Sequence, residues 1–139
     1  MWTKRKCGAR VPPPMLTDKE ENDMAGYLTT HVLDTAGGRP ASGMRIELFR
    51  LDHGRERLAE MLTNRDGRTD TPILPEADFQ TGRYELVFHV GAWLDAEGVD
   101  APEPRFLDEV PIRFGMSEQD HYHVPLLISP YGFSTYRGS

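Results

Sequence analysis

Apolar residues in this sequence recur at every second position, in short runs that Gly, Pro, Asn and Asp interrupt. That spacing puts side chains on alternate faces of a strand and leaves no stripe along a helix. In RYELVFHV, Tyr84, Leu86, Phe88 and Val90 share one face, and Met44, Ile46 and Leu48 alternate with Arg45, Glu47 and Phe49. YLTTHVLD, starting at Tyr27, is rich in β-branched and aromatic residues and ends in the turn cluster TAGGRP. A strand over residues 57–63 follows the polar DHGRE turn, and Asp66-Gly67 in TNRDGRTD marks another tight turn. FLDEVPIRF and HYHVPLLIS read as two further strands joined by GMSEQD. GAWLDAEG is the best helix candidate, stopped by Pro102 and Pro104. Many short strands with almost no helix predict an all-β fold of two packed sheets. Seven or eight such strands need roughly 100 residues, so a chain of 139 residues holds one such domain.

Residues 1–25 read as an extension, with the folded domain at 26–139. Lys4, Arg5 and Lys6 precede three consecutive prolines, Pro12 to Pro14, and then the polar run TDKEEND. Prolines withhold backbone donors and the polar run has little to bury, so this stretch is expected to be disordered. A net charge of −6 speaks against nucleic acid as the partner, because phosphates demand a basic face. Cys7 is the single cysteine, which excludes an intrachain disulfide and a thiolate-rich metal site. No apolar run reaches the roughly 20 residues that span a bilayer, and none follows the basic N-terminus. No membrane partner and a cytoplasmic address are therefore expected. Phosphate-cradling loops, dinucleotide fingerprints and a GxSxG elbow are all missing.

The five histidines differ in context. His53 lies in a polar turn and reads as exposed and inert. His89 lies on the face of its strand opposite Tyr84, Leu86 and Phe88, which favours a structural or merely exposed group. His121 and His123 flank Tyr122, so both imidazoles project to one side while Tyr122, Val124, Leu126 and Ile128 take the other. An HxH pair on a strand could hold zinc. A third ligand would have to come from His31 or a carboxylate, and no spacing specifies one, so no metal or other cofactor is expected. His31, between Thr30 and Val32, reads alone as a satisfied strand residue more readily than as a base. Arg68 in the DGRTD turn is either a solvated arginine or a fork of donors for an oxyanion. The C-terminal PYGFSTYRGS carries Tyr131, Phe133 and Tyr136, more aromatics than a frayed tail usually has. The alternation of Phe133 and Thr135 with Ser134 and Tyr136 fits a final strand that would deliver the Ser139 hydroxyl to a fixed place.

Taken together, LTTHVLDTAGGRPA, TNRDGRTD, GRYELVFHVGAWLDAEG, FLDEVPIRF and HYHVPLLISPYGFSTYRGS resemble the transthyretin-like proteins, and more closely the 5-hydroxyisourate hydrolases among them. The resemblance covers residues 27–139, and the closing Tyr136-Arg137-Gly138-Ser139 is its most specific element. It implies a prealbumin-like sandwich of eight strands in two sheets, with one short helix near residues 91–98. It also implies a homotetramer with active sites in the channel between dimers. The implied reaction is hydrolysis of 5-hydroxyisourate, a small molecule of urate breakdown, to a ureido-imidazoline carboxylate. Carried over, the catalytic residues would be His31, Arg68, His123 and Ser139, with Tyr136 packed beside them and His121 helping to orient substrate. Two rivals stand against this reading. One is a carrier that binds an aromatic ligand in the same channel; the other is an interaction domain with an incidental histidine face.

Overall fold

The computed structural model describes residues 25–138. Nearly all of the expected N-terminal extension, Cys7 and Ser139 lie outside the described residues. Eight strands and one α-helix follow one another among the described residues. They are β1 (Tyr27–Asp34), β2 (Arg39–Pro40), β3 (Arg45–Arg50), β4 (Glu56–Leu62), β5 (Gly82–His89), α1 (Val90–Ala96), β6 (Glu109–Met116), β7 (His121–Ser129) and β8 (Gly132–Thr135). They form two four-stranded sheets, β2-β1-β7-β8 and β4-β3-β5-β6. The expected all-β two-sheet sandwich with one short helix is the fold observed.

Period-2 alternation carries through to burial. In β1 every second residue is buried and its neighbours are half-buried, so Leu28 and Val32 face the core while Tyr27, Thr29 and His31 face outward. In β7, Tyr122, Val124, Leu126 and Ile128 are buried, and His121 and His123 stand on the opposite face. From the second sheet Ile46, Leu48, Tyr84, Leu86 and Phe88 meet them with no exposed surface. Burial of each such side chain contributes about 1.5–3 kcal/mol, and this layer between the sheets supplies most of the driving force.

Two expectations shift in detail. The strand face ending in Val90 stops at His89, and Val90 instead opens α1, where it stays fully buried. The helix is held to the sandwich by Trp93, whose indole N–H donates to the Ser42 carbonyl at 2.7 Å. Phe49, grouped by alternation with Arg45 and Glu47, is buried even so. Strand pairing shifts between Leu48 and Phe49, and the Arg55 guanidinium lies 3.7 Å above the Phe49 ring.

The outer face of the second sheet is closed by ion pairs. Glu85 is 2% exposed and is gripped by Arg55 and Arg113, each at 2.9 Å. His89 bonds Glu47 at 2.7 Å, the structural role favoured for it. His53 is exposed, as expected.

Candidate active site

β1 and β7 run side by side and parallel, with Tyr27 opposite His121, Thr29 opposite His123 and His31 opposite Pro125. Because β1 alternates throughout and β7 alternates from His121 to Val124, this register brings the outward residues of each together. The His31 and His123 ring centroids are 6.2 Å apart, and those of His121 and His123 are 6.3 Å apart. Tyr27 stacks flat on His121, with centroids 4.2 Å apart and planes inclined by 5°.

The turn at residues 64–68 delivers Arg68 to the same face. Asn64 organises it: its Oδ1 accepts the Asp66 and Arg68 amides, and its own amide donates to the Arg68 carbonyl at 2.7 Å. Gly67 has φ 78° and sits so close to β1 that a Cβ would lie 2.4 Å from the Val32 carbonyl oxygen. Only glycine fits that conformation and that approach without strain. In return the Gly67 carbonyl accepts the Val32 amide at 2.8 Å, and His31 and Arg68 bridge across.

The far end of the chain returns to the same place. β8 pairs with β7, and after it Gly138 donates its amide to the His123 carbonyl at 2.7 Å. A Cβ on Gly138 would lie 2.8 Å from His123 Cδ2, so the chain passes hard against the ring. Gly138 immediately precedes Ser139. Arg137 lies over the Tyr122 ring at 4.1 Å and pairs with Asp120 at 3.1 Å.

Tyr27, Thr29, Arg68, Asp70, His121 and His123 line a groove of about 440 Å³ on this face. His31 lies beside it, next to His123. The structure thus brings His31, Arg68, His121 and His123 together, as expected. The expected packing of Tyr136 beside them is not found within the chain. β8 ends at Thr135, and the following residues cross to His123 through Gly138. Tyr136 is left 60% exposed on a separate depression of about 260 Å³ with Phe114 and Tyr122. A larger hollow of about 690 Å³, with His53 and Leu58 on its wall, contains none of the site residues.

The surroundings of the groove disfavour protonation of its imidazoles. Burial, then the Arg68 guanidinium, holds His31 below the ordinary histidine value, with Asp66 pulling the other way. Burial, then Arg68 and the neighbouring His31 and His121, lowers His123. His121 is lowered by burial and by Arg137, against Asp120. Neutral rings beside a fixed cation can accept a proton from water while the cation steadies an oxyanion. Sequence reading passed over Thr29, whose hydroxyl lies within hydrogen-bond reach of both His121 and His123. Its shared parity with His31 was legible, but its partners depend on the β1–β7 pairing, which no local signal reveals. Among the described residues, no three His, Cys, Asp or Glu side chains are arranged to hold a metal ion.

Fold and site together define a transthyretin-type β-sandwich with a polar, histidine-lined groove on the outer face of one sheet. Residues 28–138 match the model of the HIUase/Transthyretin family, and the chain belongs to that family. It is 62% identical over 115 residues to a 5-hydroxyisourate hydrolase of Mesorhizobium japonicum, covering 82% of this chain and 93% of the relative. Among solved structures, Klebsiella pneumoniae 5-hydroxyisourate hydrolase superposes with a TM-score of 0.70 at 37% identity, covering 82% of this chain and 94% of that one. An (S)-allantoin synthase superposes with a TM-score of 0.78 at 46% identity over 84% of this chain, which spans 45% of that longer chain.

Proposed function

We propose that this chain is a 5-hydroxyisourate hydrolase, opening the six-membered ring to 2-oxo-4-hydroxy-4-carboxy-5-ureidoimidazoline in urate breakdown. The observation that carries the reading is the meeting of His31, Arg68 and His123 from three separate segments, with Arg68 and His123 lining one groove and His31 beside it. Relatives of that name covering nearly their whole length support it.

In the proposed mechanism His123 takes a proton from water, which attacks the ring carbonyl carbon. The Arg68 guanidinium holds the substrate oxygens and balances the charge that develops, a contribution whose loss typically costs roughly 10²–10³ in rate. As the carbon–nitrogen bond breaks, the imidazolium returns its proton to the departing nitrogen and the base is regenerated. His31 forms the wall next to His123 and helps orient the substrate. Ser139, the residue after Gly138 in the sequence, is assigned the role of positioning the water. Tyr136 belongs to this reading through the assembly: on the exposed edge of the sandwich it is available to a second copy.

A homotetramer with sites between dimers extends the proposal. β8 is an edge strand, and Tyr131, Phe133 and Tyr136 on and around it are 63%, 46% and 60% exposed. An apolar edge of this kind calls for a covering partner. No helix among the described residues is long and apolar enough to cross a membrane, and a cytoplasmic hydrolase domain at 26–139 with an extension before it completes the reading.

The test is single replacement of His31, Arg68, His123 and Ser139, following the ultraviolet decay of freshly generated 5-hydroxyisourate with and without a chelator. Each variant should lose at least about 10² in rate. Near-normal turnover in both Arg68→Ala and His123→Ala would end the assignment.

A further inference from the structure

Thr29 stands on the outer face of β1 between the two histidines of β7. Its Oγ1 is 2.7 Å from His121 Nε2 and 2.8 Å from His123 Nδ1. A hydroxyl has one proton to give and lone pairs to receive. It can therefore donate to only one of these rings, and a second bond requires the other ring to donate to it.

Two arrangements use the hydroxyl proton. In the first, Thr29 donates to His123 Nδ1. The His123 proton then sits on Nε2, and the ring has no free nitrogen with which to accept a proton from water. In the second, His123 Nδ1–H donates to Thr29 and Thr29 donates to His121 Nε2. That leaves His123 Nε2 bare, and no described residue bonds it.

The surrounding charges select the second. His121 must then carry its proton on Nδ1, the nitrogen nearer its own backbone. The Asp120 carboxylate accepts the His121 backbone amide at 2.8 Å, and a negative charge held beside that backbone favours the proton on the ring nitrogen nearer to it. Arg137 opposes this, but it is itself paired to Asp120 at 3.1 Å. His123 faces Arg68, His31 and His121, none of which supplies a negative charge that would hold a proton on Nε2. Tyr27, stacked on His121, fixes the plane of the ring through which the arrangement is transmitted.

We propose that Thr29 is a positioning residue whose hydroxyl, oriented by His121, locks His123 into the Nδ1–H tautomer and leaves Nε2 free to act as base. The inference rests on the groove being the hydrolytic site, and it gives His121 a part in catalysis that needs no contact with substrate. It also explains a threonine rather than an apolar β-branched residue at this point of the strand.

The test compares Thr29→Val, which keeps the shape and removes the hydroxyl, with Thr29→Ser, which restores it. Imidazole nitrogen NMR on the substrate-free protein reads the tautomers directly. Wild type and Thr29→Ser should show His123 protonated on Nδ1, and Thr29→Val should move that proton to Nε2. In kinetics Thr29→Val should lower kcat by about 10–100-fold, by analogy with the loss of a hydrogen-bond partner that orients a metal-bound histidine. KM should change by less than about twofold, because the lost interaction is not with substrate. Thr29→Ser should recover most of the rate.

A wild-type spectrum with His123 protonated on Nε2 would overturn the proposal, and it decides the matter even if Thr29→Val does not fold. So would a Thr29→Val effect confined to KM, which would make Thr29 a substrate contact. A wild-type protein without turnover would sink the hydrolase reading instead, while the substrate-free spectra would still report on the lock.

Discussion

Replacing Gly67 with alanine tests how the Arg68 turn is seated. Gly67 has φ 78°, a left-handed conformation that costs a residue with a Cβ about 1–2 kcal/mol. The new methyl would also lie 2.4 Å from the Val32 carbonyl oxygen and 3.1 Å from the Pro40 Cβ. The first of these is backbone in the middle of a sheet and cannot swing aside, so the turn must withdraw. Withdrawal breaks the 2.8 Å bond from the Val32 amide to the Gly67 carbonyl, and an unpaired buried donor costs roughly 1–3 kcal/mol. The combined loss is roughly 2–5 kcal/mol, a large part of the 5–15 kcal/mol that holds a typical domain together. Gly54→Ala is the control: its φ is 92° but nothing lies within 4 Å of the added methyl. It should therefore show the conformational cost alone. Thermal unfolding at one fixed protein concentration should place Gly67→Ala roughly 8–20 °C below wild type. Gly54→Ala should fall well short of that shift. Because Arg68 follows Gly67 directly, turnover by Gly67→Ala at a temperature where it is folded should drop at least about tenfold. Equal shifts for the two variants, with wild-type turnover in both, would refute the argument from close approach.

Turnover should hold level as pH is lowered through 6.5, the ordinary histidine value, and decline only below it, because His31 and His123 are both held under it. A rate profile half-maximal at or above 6.5 would contradict the neutral-imidazole site. The same shifts act on the fold: the unfolded chain takes up these protons first, so stability is unaffected above the ordinary value and falls as pH drops beneath it. Urea unfolding on either side of that pH reads this directly. Leu126 has no exposed surface, and Leu126→Ala should cost about 2–5 kcal/mol in the same assay. Gly138→Ala should leave stability within about 1 kcal/mol, since residues 136–138 lie past the last strand. Its methyl would meet His123 Cδ2 at 2.8 Å, so turnover should fall, and unchanged turnover would separate the C-terminal residues from the chemistry.

Alternation made most of the fold readable. Wherever one face of a strand is buried, a one-residue slip would expose the whole apolar set, so the pattern in β1, β5 and β7 leaves little freedom. It misjudged Phe49, because a cation from a neighbouring turn covers an outward ring, and parity along one strand does not report on such cover. It also placed Val90 in a strand, since a buried residue at a strand-to-helix junction satisfies both periods. Within the site, His31, Arg68, His121 and His123 came from motifs, and the strand parity of the HxH pair was correct. Thr29 and the close contact of Gly138 with His123 were not legible. Both depend on which distant strand lies alongside, and for a parallel pair no hairpin announces it. Tyr136 was assigned to the histidine cluster by resemblance, whereas the chain alone leaves it on the edge.

The pairing of β1 with β7 has a consequence for the making of the protein. Thr29 meets His121 and His123 across 92 and 94 residues of sequence. On the ribosome, β1 precedes the other described strands, with β2 and the turns at Gly67 and Leu74 as its early neighbours, and its long partner arrives only after residue 120. Such remote pairing makes folding slow. A nascent chain interrupted before residue 121 would carry His31 and Arg68 yet have no groove, so turnover certifies that synthesis has passed β7.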